Sequence, residues 1–248
     1  MKSAVNETMP AVSRSRKDQV SAGFLNRQTV TPLEIMAAEP KTKSTGQGNH
    51  GGSWELWVDR CGGFDILQRD RVTIGGPGGD VPADIAVRCA WRSRVATIVR
   101  GQSGDAIEIV AASEASSRRP GVLQQLATDQ WLPLEGLSSG DFVVAMSDAV
   151  PRVRYQRPSP LSRSAVITVA APHRLVRPID ATILFEQTIL VGPESFNHVR
   201  AQSLSSQGWV LFRRDDRWWL RGRNVSPQPI ELGQRWRHED WSMMIKER

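Results

Sequence analysis

The chain has 248 residues, a mass of 27.5 kDa and 40% hydrophobic residues, which suits one large domain or two of roughly 100 residues each. Its two cysteines, Cys61 and Cys89, form no CxxC pair and stand apart from any histidine cluster, so neither a disulfide framework nor a structural zinc site is indicated and a reducing, cytoplasmic setting is expected. The net charge of +6 and pI near 10.0 would suit a polyanion, yet arginines interleave with acids, as in RRDDR at Arg213 to Arg217; no apolar run reaches the roughly 18 residues that span a bilayer.

Residues 1–52 are rich in Ser, Thr, Lys, Gln and Gly and end in GQGNHGG. Such a composition cannot bury enough surface to offset its ordering entropy, and a largely disordered tail is expected. Within it TPLEIMAAE, from Thr31 to Glu39, reads as a short helix capped by Thr31 with Pro32 in the first turn. Alone, a helix of this length is marginal in water.

From Trp54 the pattern becomes that of strands. WELWVD alternates, CGG marks a turn, and FDILQRDRVTIG carries strand positions again. GGPGG at Gly75 to Gly79 lacks the terminal lysine and hydroxyl of a phosphate loop and leads into no helix, so it reads as a turn. Ile85 and Val87 suggest a brief strand, ATIVR a stronger one, and AIEIVA follows the polar turn Gln102 to Asp105. Ala111 to Pro120 reads as a surface excursion, and GVLQQLATDQWLPL fits either a short helix or two strands. A turn at Ser138 to Asp141, the strand Phe142 to Met146, and Val153 with Tyr155 close a first module over 53–157. RPSPLS, Arg157 to Ser162, marks a hinge, and the linker is set at 158–163. The second module, 164–248, runs through SAVITVA, ATILFEQTILVG, the WVLFRR and RWWLRG pair across an RDDR turn, and WSMMIKE.

The two modules share an internal order. Val72 to Gly75 matches Thr188 to Gly192 in kind, and Thr97 to Arg100 matches Val210 to Arg213. DRVTIGG, DIAV, WRSRVATIVR and LEGLSSGDFVV in succession resemble the skeleton of a forkhead-associated domain, in tandem arrangements similar to those of planctomycete bacteria. That resemblance implies an all-β protein of two forkhead-associated-like (SMAD/FHA-type) β-sandwich modules, whose apical loops bind phosphothreonine peptides in standard members.

The family motif has glycine then arginine, later serine, arginine, any residue and histidine, and a downstream asparagine. Here Gly75 keeps the glycine but Gly76 takes the arginine place; Arg92, Ser93 and Val95 stand at the serine, arginine and histidine. In the second copy Gly192 is followed by Pro193, Ser205 takes the serine place, Gly208 the histidine place, and Asn224 lies near the asparagine. A phosphate needs directed donors, and proline offers none. The resemblance therefore implies binding at altered apical loops: Arg71, Gly75, Gly76, Arg88, Trp91, Arg92, Ser93 and Arg94 in the first copy, and His198, Arg200, Ser205, Ser206 and Asn224 in the second. Arg71, Arg88, Arg92 and Arg94 could form a displaced anion site, and Trp91 is either a core plug or the apolar half of a patch.

No enzyme constellation emerges. The four histidines have no metal-ligand spacing, Asp215 and Asp216 fit a solvated hairpin turn, and SLSS lacks the GxSxG of a hydrolase. The expectation is a non-enzymatic adaptor with no cofactor and no metal, which binds a protein or peptide partner, phosphorylated or acidic in one version. Phosphothreonine reading by displaced arginines and nucleic-acid binding by basic loops stand as alternatives, and oligomeric state is left open.

Overall fold

The computed structural model describes residues 51–78, 80–110, 121–134, 150–202, 204, 208–239 and 241–248. Regular structure among these residues is entirely β. The first nine strands are β1 (Gly52–Val58), β2 (Gly62–Gln68), β3 (Arg71–Gly75), β4 (Ile85–Ala86), β5 (Ala96–Val99), β6 (Ala106–Ile109), β7 (Leu123–Gln125), β8 (Asp129–Trp131) and β9 (Val153–Gln156). The next nine are β10 (Ala165–Val169), β11 (Ala181–Leu184), β12 (Thr188–Gly192), β13 (Val199–Arg200), β14 (Trp209–Arg214), β15 (Arg217–Gly222), β16 (Val225–Ile230), β17 (Arg235–His238) and β18 (Trp241–Glu247).

Local chemistry accounts for many of the pairings. β14 and β15 pair from Trp209↔Gly222 to Arg214↔Arg217 across Asp215 and Asp216, which both have positive φ, 50° and 59°. Two left-handed residues in succession match the right-handed twist of a tight hairpin, and aspartate tolerates that conformation. The stretch GVLQQLATDQWLPL, open between helix and strands, contributes β7 and β8, and these lie in different sheets.

Three sheets result. One has eight strands in the order β17-β18-β1-β2-β11-β10-β9-β8; the others have five each, β4-β3-β5-β6-β7 and β13-β12-β14-β15-β16. The nine-strand order therefore occurs twice, with matching pairings: β3 is parallel to β4 and antiparallel to β5, as β12 is to β13 and β14. The long sheet is mirrored about its centre, where β2 and β11 run parallel with Phe64↔Ala181 and Ile66↔Ile183 in register.

Two hydrophobic clusters lie on opposite faces of the long sheet, because side chains alternate along a strand. Leu56, Ile66 and Ile183 face the sheet of β12 to β16, with Trp209, Leu211 and Trp218. Leu67, Ile167, Tyr155 and Leu184 face the sheet of β3 to β7, with Ile74, Ile98 and Trp91. The sheet that follows each hairpin thus packs mainly over the other half of the long sheet.

The expected modular layout is corrected here. RPSPLS does not separate two bodies: it joins β9 to β10, which are antiparallel neighbours from Val166↔Gln156 to Val169↔Val153. β1 and β2, assigned by sequence to the first module, lie between β18 and β11. Their apolar side chains can be buried only where a facing sheet covers them, and that sheet comes from the second half of the chain. The tail helix at Thr31 to Glu39, the excursion at Ala111 to Pro120, and the turn and strand at Ser138 to Met146 lie outside the described residues.

A basic cleft beside the second strand repeat

On β9 the inward residues Val153 and Tyr155 enter the core while Arg154 and Gln156 point to the opposite face. That face, together with Thr168 of β10 and the β12–β13 connection, bounds a cleft of about 640 Å³. Phe64, Cys61 and Ala181 line it on the apolar side; Ser195, Asn197, His198 and Arg200 line it from the connection and β13.

Its carboxylates are engaged. Asp129 accepts from Arg154 Nε at 2.8 Å and Nη2 at 2.7 Å, and this forked contact holds its carboxyl below the usual range. Asp180 Oδ2 accepts the Gly63 N–H at 2.9 Å. Two guanidiniums remain. Arg157 is half-buried with its Nε shielded from solvent and without a hydrogen-bond partner, and exposed Arg200 has no ion-pair or hydrogen-bond partner among the described residues. With three arginines against two carboxylates the cleft lining carries a net positive charge suited to a carboxylate or phosphate.

His198 has a structural place at the cleft edge. Its Nδ1 accepts the Leu190 N–H at 2.9 Å, which puts the proton on Nε2, and Nε2 donates to the Ser164 carbonyl at 3.1 Å. Burial pushes its pKa down to about 4, against the Ser164 carbonyl, which favours the protonated ring. The corresponding residue in the first half is Asp84, whose Oδ2 accepts the Thr73 N–H at 2.9 Å. One device recurs with different chemistry: a side-chain acceptor placed before β4 or β13 satisfies an N–H of β3 or β12.

The other sequence-predicted residues disperse. Trp91 is buried in the core, so of its two readings the plug stands and the surface patch is corrected. A Cβ on Gly75 would lie 2.1 Å from the Ser93 carbonyl oxygen and one on Gly76 2.0 Å from that of Trp91, so these glycines permit close backbone approach. Gly76 also donates its N–H to the Arg92 carbonyl at 2.7 Å.

The four arginines do not share an acceptor. Arg71 pairs with Glu108 at 2.5 Å, at the opposite end of β3 from Gly75. Arg88 Nη2 donates to the Val176 carbonyl, and Arg94 donates to Thr97 Oγ1 at 3.0 Å. Arg92 is exposed and Ser93 half-buried. In the second copy, His198 and Arg200 meet in the cleft, Asn224 sits exposed in the β15–β16 turn, and Ser205 and Ser206 lie outside the described residues.

Sequence reasoning missed Arg154, Arg157 and Asp129. The available signal was RVRYQR, where alternation places Arg154 and Gln156 on one face; the β13 side of the cleft is remote in sequence. Burial raises the thiol pKa of Cys61, with the Asp59 charge adding to it, and burial pushes Cys89 up to about 11, so both stay protonated thiols at neutral pH. Among the described residues no group of three His, Cys, Asp or Glu side chains could hold a metal ion, and no helix is long and apolar enough to cross a membrane. Comparison with family models, curated proteins and solved structures yields no match.

Proposed function

We propose that this protein is a binding module, not a catalyst, built on a forkhead-associated-like sandwich scaffold, and that a protein or peptide partner occupies the cleft bounded by β9, β10 and the β12–β13 connection. One observation carries the reading: Arg157 and Arg200 line a concave surface with no side-chain partner among the described residues, while Asp129 is paired with Arg154 and Asp180 accepts the Gly63 N–H. A half-buried guanidinium lacking an acceptor is costly in isolation, and an anionic group would relieve that cost. Phosphothreonine reading at the apical loops has less support. Gly76 and Pro193 replace donors, Arg94 is held on Thr97, and Trp91 belongs to the core.

The test is selection from a bead-displayed library of random nonapeptides, with phosphothreonine in half of the beads. The wild-type chain is expected to retain a reproducible subset that the Arg157→Glu/Arg200→Glu variant does not, with unchanged circular dichroism. Equal retention by both proteins would overturn the cleft reading. Retention confined to phosphothreonine beads and abolished by Arg92→Ala would relocate binding to the apical loop.

A further inference from the structure

The first half of the molecule holds a groove equivalent to this cleft, and there the chain fills it. β10 and β11 are connected by residues 170–180, whereas β1 and β2 are joined through Asp59–Cys61 alone. The longer connection folds against the outer edge of β4. The Arg88 N–H donates to the Arg174 carbonyl at 2.9 Å, the Val176 N–H donates to the Ala86 carbonyl at 2.8 Å, and Val87 and Leu175 form an antiparallel bridge. Leu175 is buried in the core below, and Arg177 ion-pairs with Glu55 and with buried Asp65 on the long sheet.

The equivalent positions on β13 are fixed by a shared hydrogen bond. The Val87 N–H donates to the Gly75 carbonyl at 2.8 Å, and the Ala201 N–H donates to the Gly192 carbonyl at 2.8 Å. The Arg200 carbonyl therefore corresponds to that of Ala86, and the Gln202 N–H to that of Arg88. Neither has a backbone partner among the described residues, and β13 ends its sheet. An edge with unpaired N–H and C=O groups is a template for strand addition. The charge balance differs between the two grooves: Glu55 and Asp65, which also pair with Lys246 and Arg248, receive Arg177 in the filled one, whereas Arg154, Arg157 and Arg200 outnumber Asp129 and Asp180 in the open one.

We infer that the open cleft takes an extended acidic segment of a partner protein, which adds as a short antiparallel strand to β13 in the way Arg174–Val176 adds to β4. Backbone bonds to Arg200 and Gln202 set its register. An apolar side chain packs toward Phe64 and Cys61, and flanking carboxylates meet Arg157 and Arg200. The inference rests on the cleft being the binding surface, and it adds the ligand's chemistry and mode.

The experiment uses the full chain and fluorescence anisotropy with a labelled nonapeptide copying residues 172–180, both arginines being replaced by glutamate. Two further peptides accompany it: the unaltered arginine sequence, and the glutamate peptide N-methylated at the residue that copies Val176. The glutamate peptide is expected to bind about tenfold tighter than either, since one loses the charge match and the other a backbone donor. Arg157→Glu/Arg200→Glu should abolish the preference. Absence of binding by the glutamate peptide, equal affinity for the arginine peptide, or indifference to N-methylation would each overturn the inference. The cleft reading would still stand if library selection remained arginine-dependent, and would fall with it only if that selection were lost as well.

Discussion

The two nine-strand halves repeat one set of pairings but meet the same local problems with different chemistry. At the hairpin following β5, Arg100 is buried and bonds Asp105 at 2.9 Å and the Arg163 carbonyl at 2.7 Å, while Tyr155 donates to Asp105 at 2.8 Å. At the matching place after β14, Arg213 lies over the Trp54 ring at 4.7 Å and bonds Gln68 at 3.0 Å, and the position of Asp105 is taken by fully buried Trp218, edge-on to Trp54. A buried ion pair in one half is thus an edge-on aromatic contact in the other. The strand pairings are the same in both halves, although the aromatic arrangement leaves Trp218 Nε1 and Arg213 Nε buried without hydrogen-bond partners among the described residues. The comparison teaches that strand order is the repeated feature, while side-chain chemistry at equivalent positions is free to diverge toward separate uses.

The sharpest way to break this comparison is to remove one partner of the buried pair. Asp105→Ala removes the acceptor of Arg100 Nε and of the buried Tyr155 hydroxyl, leaving Arg100 the Arg163 carbonyl and Glu186, and is expected to cost about 3 kcal/mol in urea unfolding. Arg213→Ala in the other half should cost only about 1 kcal/mol, because its cation–π contact and partly exposed hydrogen bonds are weaker. Comparable losses in the two variants would show that the halves are energetically alike after all.

The Asp84 and His198 pair offers a second contrast. His198 has a folded pKa of about 4, below its ordinary value, so the fold favours the neutral ring. The corresponding stability is fully present above about pH 6.5 and is lost as the pH falls toward 4, at most about 3 kcal/mol. Urea midpoints measured across that window should fall steeply in the wild type and more shallowly in His198→Gln. A parallel decline in both proteins would remove His198 as the cause.

A smaller effect should separate the filled groove from the open one. Leu175→Ala removes a buried side chain from the segment lying on β4 and is expected to cost about 2 to 3 kcal/mol. Thermal unfolding would check it. A loss under about 0.5 kcal/mol, the usual range for surface substitutions, would mean that the segment merely rests on β4 and would weaken it as a template for the open cleft.

Much of the candidate site was legible only in fragments. His198 and Arg200 were named from the resemblance as residues of the second altered apical loop, and both line the cleft. Arg154 and Arg157 lay in RVRYQR, a strand read only as the close of a module, since its outward face has no meaning until something faces it. Trp91, open in the sequence between a core plug and the apolar half of a patch beside Arg92 and Arg94, lies in the β4–β5 connection with its ring in the core. In a connection without strand alternation, neighbouring residues share no fixed face, so composition around Trp91 could not decide its direction.

The sequence by itself determined the β character of the chain, the repeated strand order and the hairpins whose turns are local, including the one at Asp215 and Asp216. These follow from alternation and turn chemistry, which act over a few residues. Only the tertiary structure decided that β1 and β2 lie between β18 and β11, that RPSPLS joins two neighbours in one sheet, and that residues 170–180 fill one groove while its counterpart stays open. In a chain with two similar halves a strand meets two nearly equivalent partners, and alternation describes both equally. Long-range burial and the unequal lengths of two connections make the choice, and neither is encoded in the period of a strand.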